Sequence, residues 1–137
     1  MNAEVMSPAV SGAPHILLRL EGALVLAVAG LAFHQFGGAA ALGVSWWTTI
    51  LIFLAPDLSM LGYLGGARTG AILYNAAHSY IAPLAFGAIA FLALGRAPVA
   101  PALLWLAHIG FDRALGYGLK YGSGFSDTHL GRIGRQE

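Results

Sequence analysis

The chain has 137 residues, of which 58% are hydrophobic and 9% charged, with a formal net charge of +1 at pH 7. Soluble domains carry about 25% charged residues, so this composition predicts an integral membrane protein in contact with the lipid bilayer. The small net charge and the lack of basic runs argue against nucleic-acid binding, and the absence of cysteine excludes disulfides and thiolate metal sites. We expect no cleavable signal peptide, because the first 14 residues contain neither Lys nor Arg.

Four apolar segments are long enough to cross a bilayer, which takes roughly 20 residues per helix. They predict an all-α polytopic membrane protein, a single membrane domain over 1–137 that forms a four-transmembrane-helix bundle. A polar, glycine-rich tail follows at 121–137. The predicted spans are 14–33, 42–64, 69–94 and 98–120.

The positions of Lys and Arg predict the orientation in the membrane. With four spans, both termini and the loop around Arg68 share one side, which also collects Lys120, Arg132 and Arg135. The opposite side has only Arg96. Because loops rich in Lys and Arg face the cytoplasm, we expect both termini to be cytoplasmic and the protein to lie in the plasma membrane.

Each predicted span carries polar or ionisable side chains near its cytoplasmic end. At about 1.5 Å per residue these side chains lie roughly 8–18 Å from that end, so they fall in one layer. An ionisable group in a membrane costs on the order of 2.5–3.5 kcal/mol, so they should face the bundle interior and satisfy one another, or line a wet cavity. The layer consists of Arg19, Glu21, Asp57, Asn75, His78, His108, Asp112 and Arg113.

Helical spacing groups several of these residues into a candidate polar site. His108 and Asp112 are four residues apart, and Asn75 and His78 are three apart, so each pair shares one face of its helix. Tyr74 precedes His78 by four residues and could donate its hydroxyl to the imidazole. Together with Asp57 of the second span, these four polar side chains are predicted to form a site that opens to the cytoplasm.

The candidate site contains a set of possible metal ligands. Asp57 follows Pro56, which removes a helical hydrogen bond and could place the carboxylate at the start of a half-helix. Two imidazoles and two carboxylates, from His78, His108, Asp57 and Asp112, suit a divalent metal, with zinc as the first choice and iron or manganese for a larger coordination shell. The spacing matches no recognised metal motif. The same groups could pass protons, or serve only to hold the helices together.

Three further charges, Arg19, Glu21 and Arg113, are predicted to support the site or to hold the bundle together. We expect Arg19 to pair with Asp57, and Glu21 to pair with Arg113, because a buried charge in a membrane needs a partner.

Glycines and the tail leave two questions open. Small residues let helix backbones approach closely, either within the chain or in a homo-oligomer. The tail, with Asp127, Thr128 and His129, could fold back over the cytoplasmic mouth so that His129 reaches the polar layer, or it could be a flexible basic end. The glycines concerned are Gly62, Gly65, Gly66, Gly70, Gly110, Gly116 and Gly118.

Two long motifs carry a family resemblance. The stretches APDLSMLGYLGGARTGAILYNAAHSYIAP and LLWLAHIGFDRALGYGLKYGSGFSDTHLGRIG resemble a family of small bacterial integral membrane proteins of unknown function. The resemblance covers about 42–135 and implies a four-helix protein of the bacterial inner membrane, without implying an activity. A weaker likeness, to the alkaline ceramidase and adiponectin receptor group of zinc hydrolases, transfers no residues, because those proteins have seven helices and a three-His zinc site.

Three functions therefore remain open from the sequence. The protein could bind a metal and hydrolyse a substrate, or it could be a non-catalytic subunit of a larger membrane complex. It could also form part of a proton or ion pathway, although the apolar opposite half of the predicted bundle would then require a dimer.

Overall fold

The computed structural model describes residues 8–96 and 98–134 and is mostly helical. Arg135, which contributed to the orientation argument, and residues 1–7 of the segment considered for a signal peptide lie outside the described residues. A 3-10 helix, Ala55–Gly65, directly continues the third α-helix. The α-helices are α1 (Gly12–Gln35), α2 (Gly38–Leu42), α3 (Trp46–Leu54), α4 (Ala67–His78), α5 (Ile81–Leu94) and α6 (Val99–Leu115).

Two helical segments are long and apolar enough to cross a membrane. They are α1, with a mean hydropathy of 2.0, and α3 with its 3-10 continuation, with a mean hydropathy of 1.4. The pair α4 and α5 also qualifies, as a third span, if its 45° bend is counted within one crossing. Helix α6 has 17 residues, at the short end of the range for a spanning helix. Large apolar side chains cover the outside of these helices, as contact with lipid requires.

The second predicted span, 42–64, begins later than expected and changes helix type in its middle. Ser45 caps the start of α3 with its hydroxyl, so the residues before it belong to the turn after α2. Pro56 has no N–H to donate to the carbonyl of Ile52, and the N–H of Ala55 bonds to this carbonyl instead. That shorter hydrogen-bond spacing is the pattern of a 3-10 helix.

The third predicted span, 69–94, is broken rather than continuous. Its first half ends at His78, because Ser79 adopts an extended backbone with φ −89° and ψ 147°. The second half begins at Ile81 and contains Pro83 in its first turn, where the missing N–H of proline is tolerated. The break leaves the last carbonyl groups of α4 without partners in their own helix.

Helix α6 lies at the centre of the molecule and contains more buried residues than any other described helix. It packs closely against α1, because a Cβ atom on Gly110 would lie 2.7 Å from the carbonyl oxygen of Gly22 and 2.6 Å from the amide nitrogen of Leu26. Only glycine permits this approach. The helix ends at Leu115, before the predicted limit of 98–120, because Gly116 adopts a left-handed backbone with φ 94°.

The tail is a folded element packed against the helices. Two short strands, β1 (Asp127–Thr128) and β2 (Gly131–Arg132), form an antiparallel hairpin, and Lys120 bridges to Thr128. The N–H of Val10 donates to the carbonyl of His129 at 2.8 Å. The start of α1 and the tail therefore lie at the same end of the molecule.

Candidate metal centre

Four side chains converge at one point in the helix interior and are called the His–Asp cluster below. Asp57 comes from the 3-10 helix, His78 from the end of α4, and His108 and Asp112 from α6. One potential ligand atom of each lies within 4.8 Å of all the others. The exposed fractions of these side chains are 35% for Asp57, 13% for Asp112, 2% for His108 and 0% for His78.

The distances within the cluster are short and similar to one another. The Nε2 atoms of His78 and His108 are 3.2 Å apart, and Oδ1 of Asp57 lies 3.4 Å from each of them. Oδ2 of Asp112 lies 3.6 Å from Nε2 of His78 and 3.9 Å from Nε2 of His108. A zinc ion with four bonds of about 2.0–2.1 Å in a tetrahedron holds its ligand atoms about 3.3–3.4 Å apart. The cluster could therefore hold a metal ion with only small side-chain movements.

The backbone of α4 defines the tautomer of His78. Its Nδ1 lies 2.9 Å from the carbonyl oxygen of Tyr74, and a carbonyl oxygen only accepts hydrogen bonds. We therefore assign the hydrogen to Nδ1, which leaves the lone pair of Nε2 directed into the cluster. This hydrogen bond is of the kind that orients metal-bound imidazoles in proteins.

Aromatic side chains hold the cluster from two sides. The Tyr74 ring stacks on the His78 imidazole with centroids 3.8 Å apart, and its hydroxyl donates to Oδ2 of Asp112 at 3.1 Å. The prediction that this hydroxyl donates to the His78 imidazole is wrong, because the two rings lie flat against each other and the hydroxyl extends beyond His78. On the other side, Phe53 contacts His108 edge-on at 5.2 Å. The Nδ1 atom of His108 is buried and has no hydrogen-bond partner among the described residues.

Side chains of α6 satisfy the carbonyl groups that the break after α4 leaves free. Trp105 Nε1 donates to the carbonyl of Ala77 at 2.6 Å, and Arg113 Nη2 donates to the carbonyl of His78 at 3.1 Å. Arg113 Nη1 also donates to the carbonyl of Tyr117 at 3.0 Å. The buried guanidinium therefore holds the end of α4 and the end of α6 in place beside the cluster.

The two ion pairs expected from the sequence do not form within the described part of the chain. Arg19 donates through Nε to the carbonyl of Ala114 at 2.9 Å instead of pairing with Asp57. Arg113 bonds to backbone carbonyls instead of to Glu21, which is exposed. The physical reason is that broken and terminated helices offer free carbonyl groups, which a pattern of charges along the sequence does not reveal.

Asn75 does not join the cluster, although the sequence placed it in the same layer. Its amide clamps the backbone of Lys120, with Nδ2 donating to the carbonyl at 2.8 Å and Oδ1 accepting from the N–H at 2.6 Å. Both functions of the amide are therefore occupied by the first part of the tail.

Lys120 is buried by this clamp, with only 4% of its surface exposed. Its Nζ lies 3.9 Å from the ring centroid of Phe125 and 4.9 Å from that of Tyr74. Burial lowers the pKa of Lys120 to about 8, and the attraction of Asp112 partly opposes this effect. A cavity of about 340 Å³ separates Lys120 from the carboxylates of the cluster and is lined by both.

His129, which the sequence suggested for the polar layer, is used within the tail. Its Nδ1 accepts a hydrogen bond from the N–H of Leu119 at 2.8 Å. Burial, and the nearby charge of Arg113, lower the pKa of His129. The imidazole therefore holds the tail to the end of α6.

Two important residues were missed in the sequence analysis. The sequence pattern gives Trp105 no role at the site, although its position three residues before His108 places both on one face of α6. The same pattern marks Lys120 only as a charge that sets topology. Its burial depends on the folded tail, for which the sequence carries no local signal.

Comparison with known proteins places the chain among uncharacterised families. Residues 15–133 match the family described as Domain of unknown function (DUF4260). The chain belongs to this family. No curated protein and no solved structure matches the chain.

Proposed function

We propose that this protein is a membrane metalloprotein that binds one divalent cation, with zinc as the first choice, through Asp57, His78, His108 and Asp112. The observation that carries the proposal is that the Nε2 atoms of His78 and His108 lie 3.2 Å apart and each lies 3.4–3.9 Å from both carboxylates, on three different helical elements. A coordination shell draws side chains together in this way, whereas cohesion of a bundle needs only one or two such contacts.

The charges of the cluster also support a bound cation. The contact between the Nε2 atoms of His78 and His108 at 3.2 Å has room for one hydrogen at most, so the two imidazoles cannot both be protonated there. With both carboxylates ionised, the cluster on its own keeps a net negative charge in a largely buried place, which is costly. A divalent cation would balance the charge of the two carboxylates completely, with both imidazoles neutral.

In the membrane, we propose that α1, α3 with the 3-10 helix, α4 with α5, and α6 form four spans. Two or three of these crossings follow from length and hydropathy, and the fourth requires α6 to cross with 17 residues. The contact between Val10 and His129 supports an even number of crossings. The Lys and Arg distribution favours a cytoplasmic location for both ends, in the inner membrane of a bacterium.

We extend the proposal to hydrolysis of an ester or amide, because a cavity adjoins the exposed edge of Asp57. A bound zinc ion would supply polarisation of the carbonyl and a lower pKa for water. In this role Asp57, the most exposed of the four ligands, would leave the metal, open one coordination position and accept a proton from water. In the net reaction the hydroxyl of water joins the acyl carbon, and its proton goes to the leaving group.

A second candidate is a non-catalytic subunit, in a homo-oligomer or a larger membrane complex, in which the metal only holds the helices. Four protein ligands favour it, because structural zinc sites are usually closed by four side chains. A proton pathway lacks comparable support, since no polar side chain occurs in α5.

Metal content tests the first part of the proposal. The protein purified in a mild detergent should contain about one zinc per chain by elemental analysis, and His78→Ala or His108→Ala should lose it. Glu21→Gln, an exposed carboxylate on α1, is the matched control and should keep the metal. A chain free of metal after growth and purification with added zinc would refute the proposal.

Activity separates hydrolysis from a structural role. Zinc-loaded protein should hydrolyse p-nitrophenyl esters of graded acyl length, chelation should abolish the rate, and added zinc should restore it. Equal rates before and after chelation would contradict metal-dependent hydrolysis, and metal without any hydrolysis would favour the structural candidate.

A further inference from the structure

The cavity between the His–Asp cluster and the tail has chemically distinct walls. Its volume of about 340 Å³ lies within the usual range for small-molecule sites, roughly 300–1,000 Å³. The carboxylates of Asp57 and Asp112 line one part, and Lys120 lines another. The apolar walls include Phe111, Phe125 and Ile133.

Lys120 is an unusual lining residue for such a cavity, because its buried ammonium group has no anionic partner within hydrogen-bonding distance. No hydrogen bond or ion pair of its Nζ atom occurs among the described residues, and its close neighbours are the faces of Phe125 and Tyr74. Aromatic faces compensate only part of the cost of burying an ammonium group. An anion that entered the cavity would supply the missing partner.

The apolar side chains around the Lys120 ammonium group indicate what the ligand contains besides an anion. Phe125 belongs to the tail and Phe111 to α6, so apolar surface from two elements borders the cavity around the ammonium. An anion without an apolar part would leave this surface in contact with water. A ligand with both parts would cover it and gain the hydrophobic contribution to binding.

We propose that this cavity binds an amphiphile through an oxyanion group, a phosphate or a carboxylate, that pairs with Lys120 while its apolar chain lies against Phe111 and Phe125. This proposal rests on the proposed function, because the cavity adjoins the proposed metal site. It deepens that function by naming the class of molecule that would bind beside the cluster. A phospholipid and a fatty acid both carry this chemistry, whereas free phosphate carries only the anion.

The metal and the ligand are coupled by charge. Without a cation, the carboxylates of Asp57 and Asp112 repel an incoming oxyanion, and with a divalent cation the cluster is neutral. Zinc-loaded protein should therefore bind the amphiphile more tightly than chelated protein. Zinc content is measured on the same samples, so a failure of metal binding is seen separately from a failure of amphiphile binding.

Calorimetric titration of the full chain in an uncharged maltoside detergent provides the test. Decyl phosphate should bind, inorganic phosphate should bind at least about 10-fold more weakly, and decyltrimethylammonium should not bind. Lys120→Met should weaken decyl phosphate binding by about 10-fold or more, whereas Arg68→Met, an exposed cation, should not. Asn75 grips only the backbone of residue 120, so Lys120→Met retains that clamp.

The wild-type chain offers an independent readout, because Lys120 is its only lysine. Reductive methylation with ¹³C-formaldehyde keeps the charge and yields one side-chain amine signal, which decyl phosphate should shift and decyltrimethylammonium should not. An unchanged signal, equal binding by Lys120→Met, or equal binding of inorganic and decyl phosphate would each overturn the proposal. Loss of zinc binding alone would refute the metal proposal and leave this one standing.

Discussion

Two helical segments of this protein are interrupted beside the His–Asp cluster, and the free carbonyl groups at the two interruptions are satisfied differently. At Pro56, the chain passes from α3 into a 3-10 helix, and the carbonyl of Ile52 finds a donor three residues away in its own segment. After His78, the chain leaves helical geometry, and the free carbonyls of α4 are satisfied by Trp105 and Arg113 of α6.

The comparison shows how a buried cluster of His and Asp side chains can be built at helix interruptions. Each interruption presents one cluster residue, Asp57 at the first and His78 at the second. The first is independent of the rest of the fold because its hydrogen bonds are local. The second depends on α6, which also supplies His108 and Asp112, so correct packing of one helix completes both the backbone hydrogen bonds and the ligand set.

The largest expected effect is at the second interruption, where Arg113→Met removes two hydrogen bonds from a charged donor. At about 1.5–3 kcal/mol for each bond, the free energy of unfolding should fall by about 3–6 kcal/mol. The measurement is SDS-induced unfolding in mixed micelles, followed by circular dichroism. Arg19→Met, which removes an exposed bond to Ala114, should cost less than about 1 kcal/mol. Equal costs would show that the break does not depend on Arg113.

Trp105→Phe should have an intermediate effect, because it removes the donor to the carbonyl of Ala77 while keeping most of the apolar ring. A buried acceptor left unpaired costs about 1–3 kcal/mol. Trp47→Phe, at an exposed position, is the control and should change stability by less than about 0.5 kcal/mol in the same unfolding assay. If the two variants were equally stable, water or lipid headgroups would be donating the hydrogen bond to the carbonyl of Ala77.

Pro56→Ala addresses the first interruption, where the restored N–H can bond to the carbonyl of Ile52. We expect a change in stability below about 1 kcal/mol, because one local bond replaces another. The altered backbone should turn Asp57 away from the imidazoles and weaken zinc affinity by about 10-fold, as measured by competition with a chelator. Pro101→Ala, in the first turn of α6, should leave affinity unchanged. Unchanged affinity in Pro56→Ala would show that the 3-10 geometry does not orient Asp57.

The smallest effect is expected in the tail, beyond the end of α6, where water can replace lost contacts. The pKa of His129 is lowered in the folded chain by burial and by Arg113, so folding disfavours its protonated form. Its contribution is intact above the ordinary pKa of about 6.5 and is lost as the pH falls below that value. The protection factor of the Leu119 amide, its observed exchange rate compared with the intrinsic rate at the same pH, should therefore fall below about pH 6.5, and His129→Asn should remove this pH dependence. The same dependence in the variant would assign it to another group.

The sequence predicted the four residues of the cluster because two physical rules apply to each helix separately. One is the free-energy cost of an ionisable side chain in a membrane, and the other is the helical spacing of side chains that share a face. His108 and Asp112 had to share a face of α6, and a layer of costly groups had to meet inside the helices. Helical geometry and depth were therefore enough to bring Asp57 and His78 to the same place.

The remaining contacts could not be predicted because they depend on where helices end. The break at Ser79 has no proline or glycine beside it, so its free carbonyls, and hence the roles of Trp105 and Arg113, were not visible. The end of α6 at Gly116 sends the chain back as a tail, which turns Asn75 toward Lys120 instead of toward the cluster. Both outcomes follow from backbone hydrogen bonds that no side-chain pattern records.

The close contact between Gly22 and Gly110 has a consequence for biogenesis. Helix α1 is made well before α6, its main packing partner, so an α1 that inserts into a bilayer must reside there without that partner while the middle of the chain is made. Its mean hydropathy of 2.0 suits such independent insertion. Arrival of α6 then docks α1 and delivers His108 and Asp112 in the same event. We expect that a chain truncated before Val99 inserts α1 but acquires no metal, so that metal acquisition marks the arrival of α6.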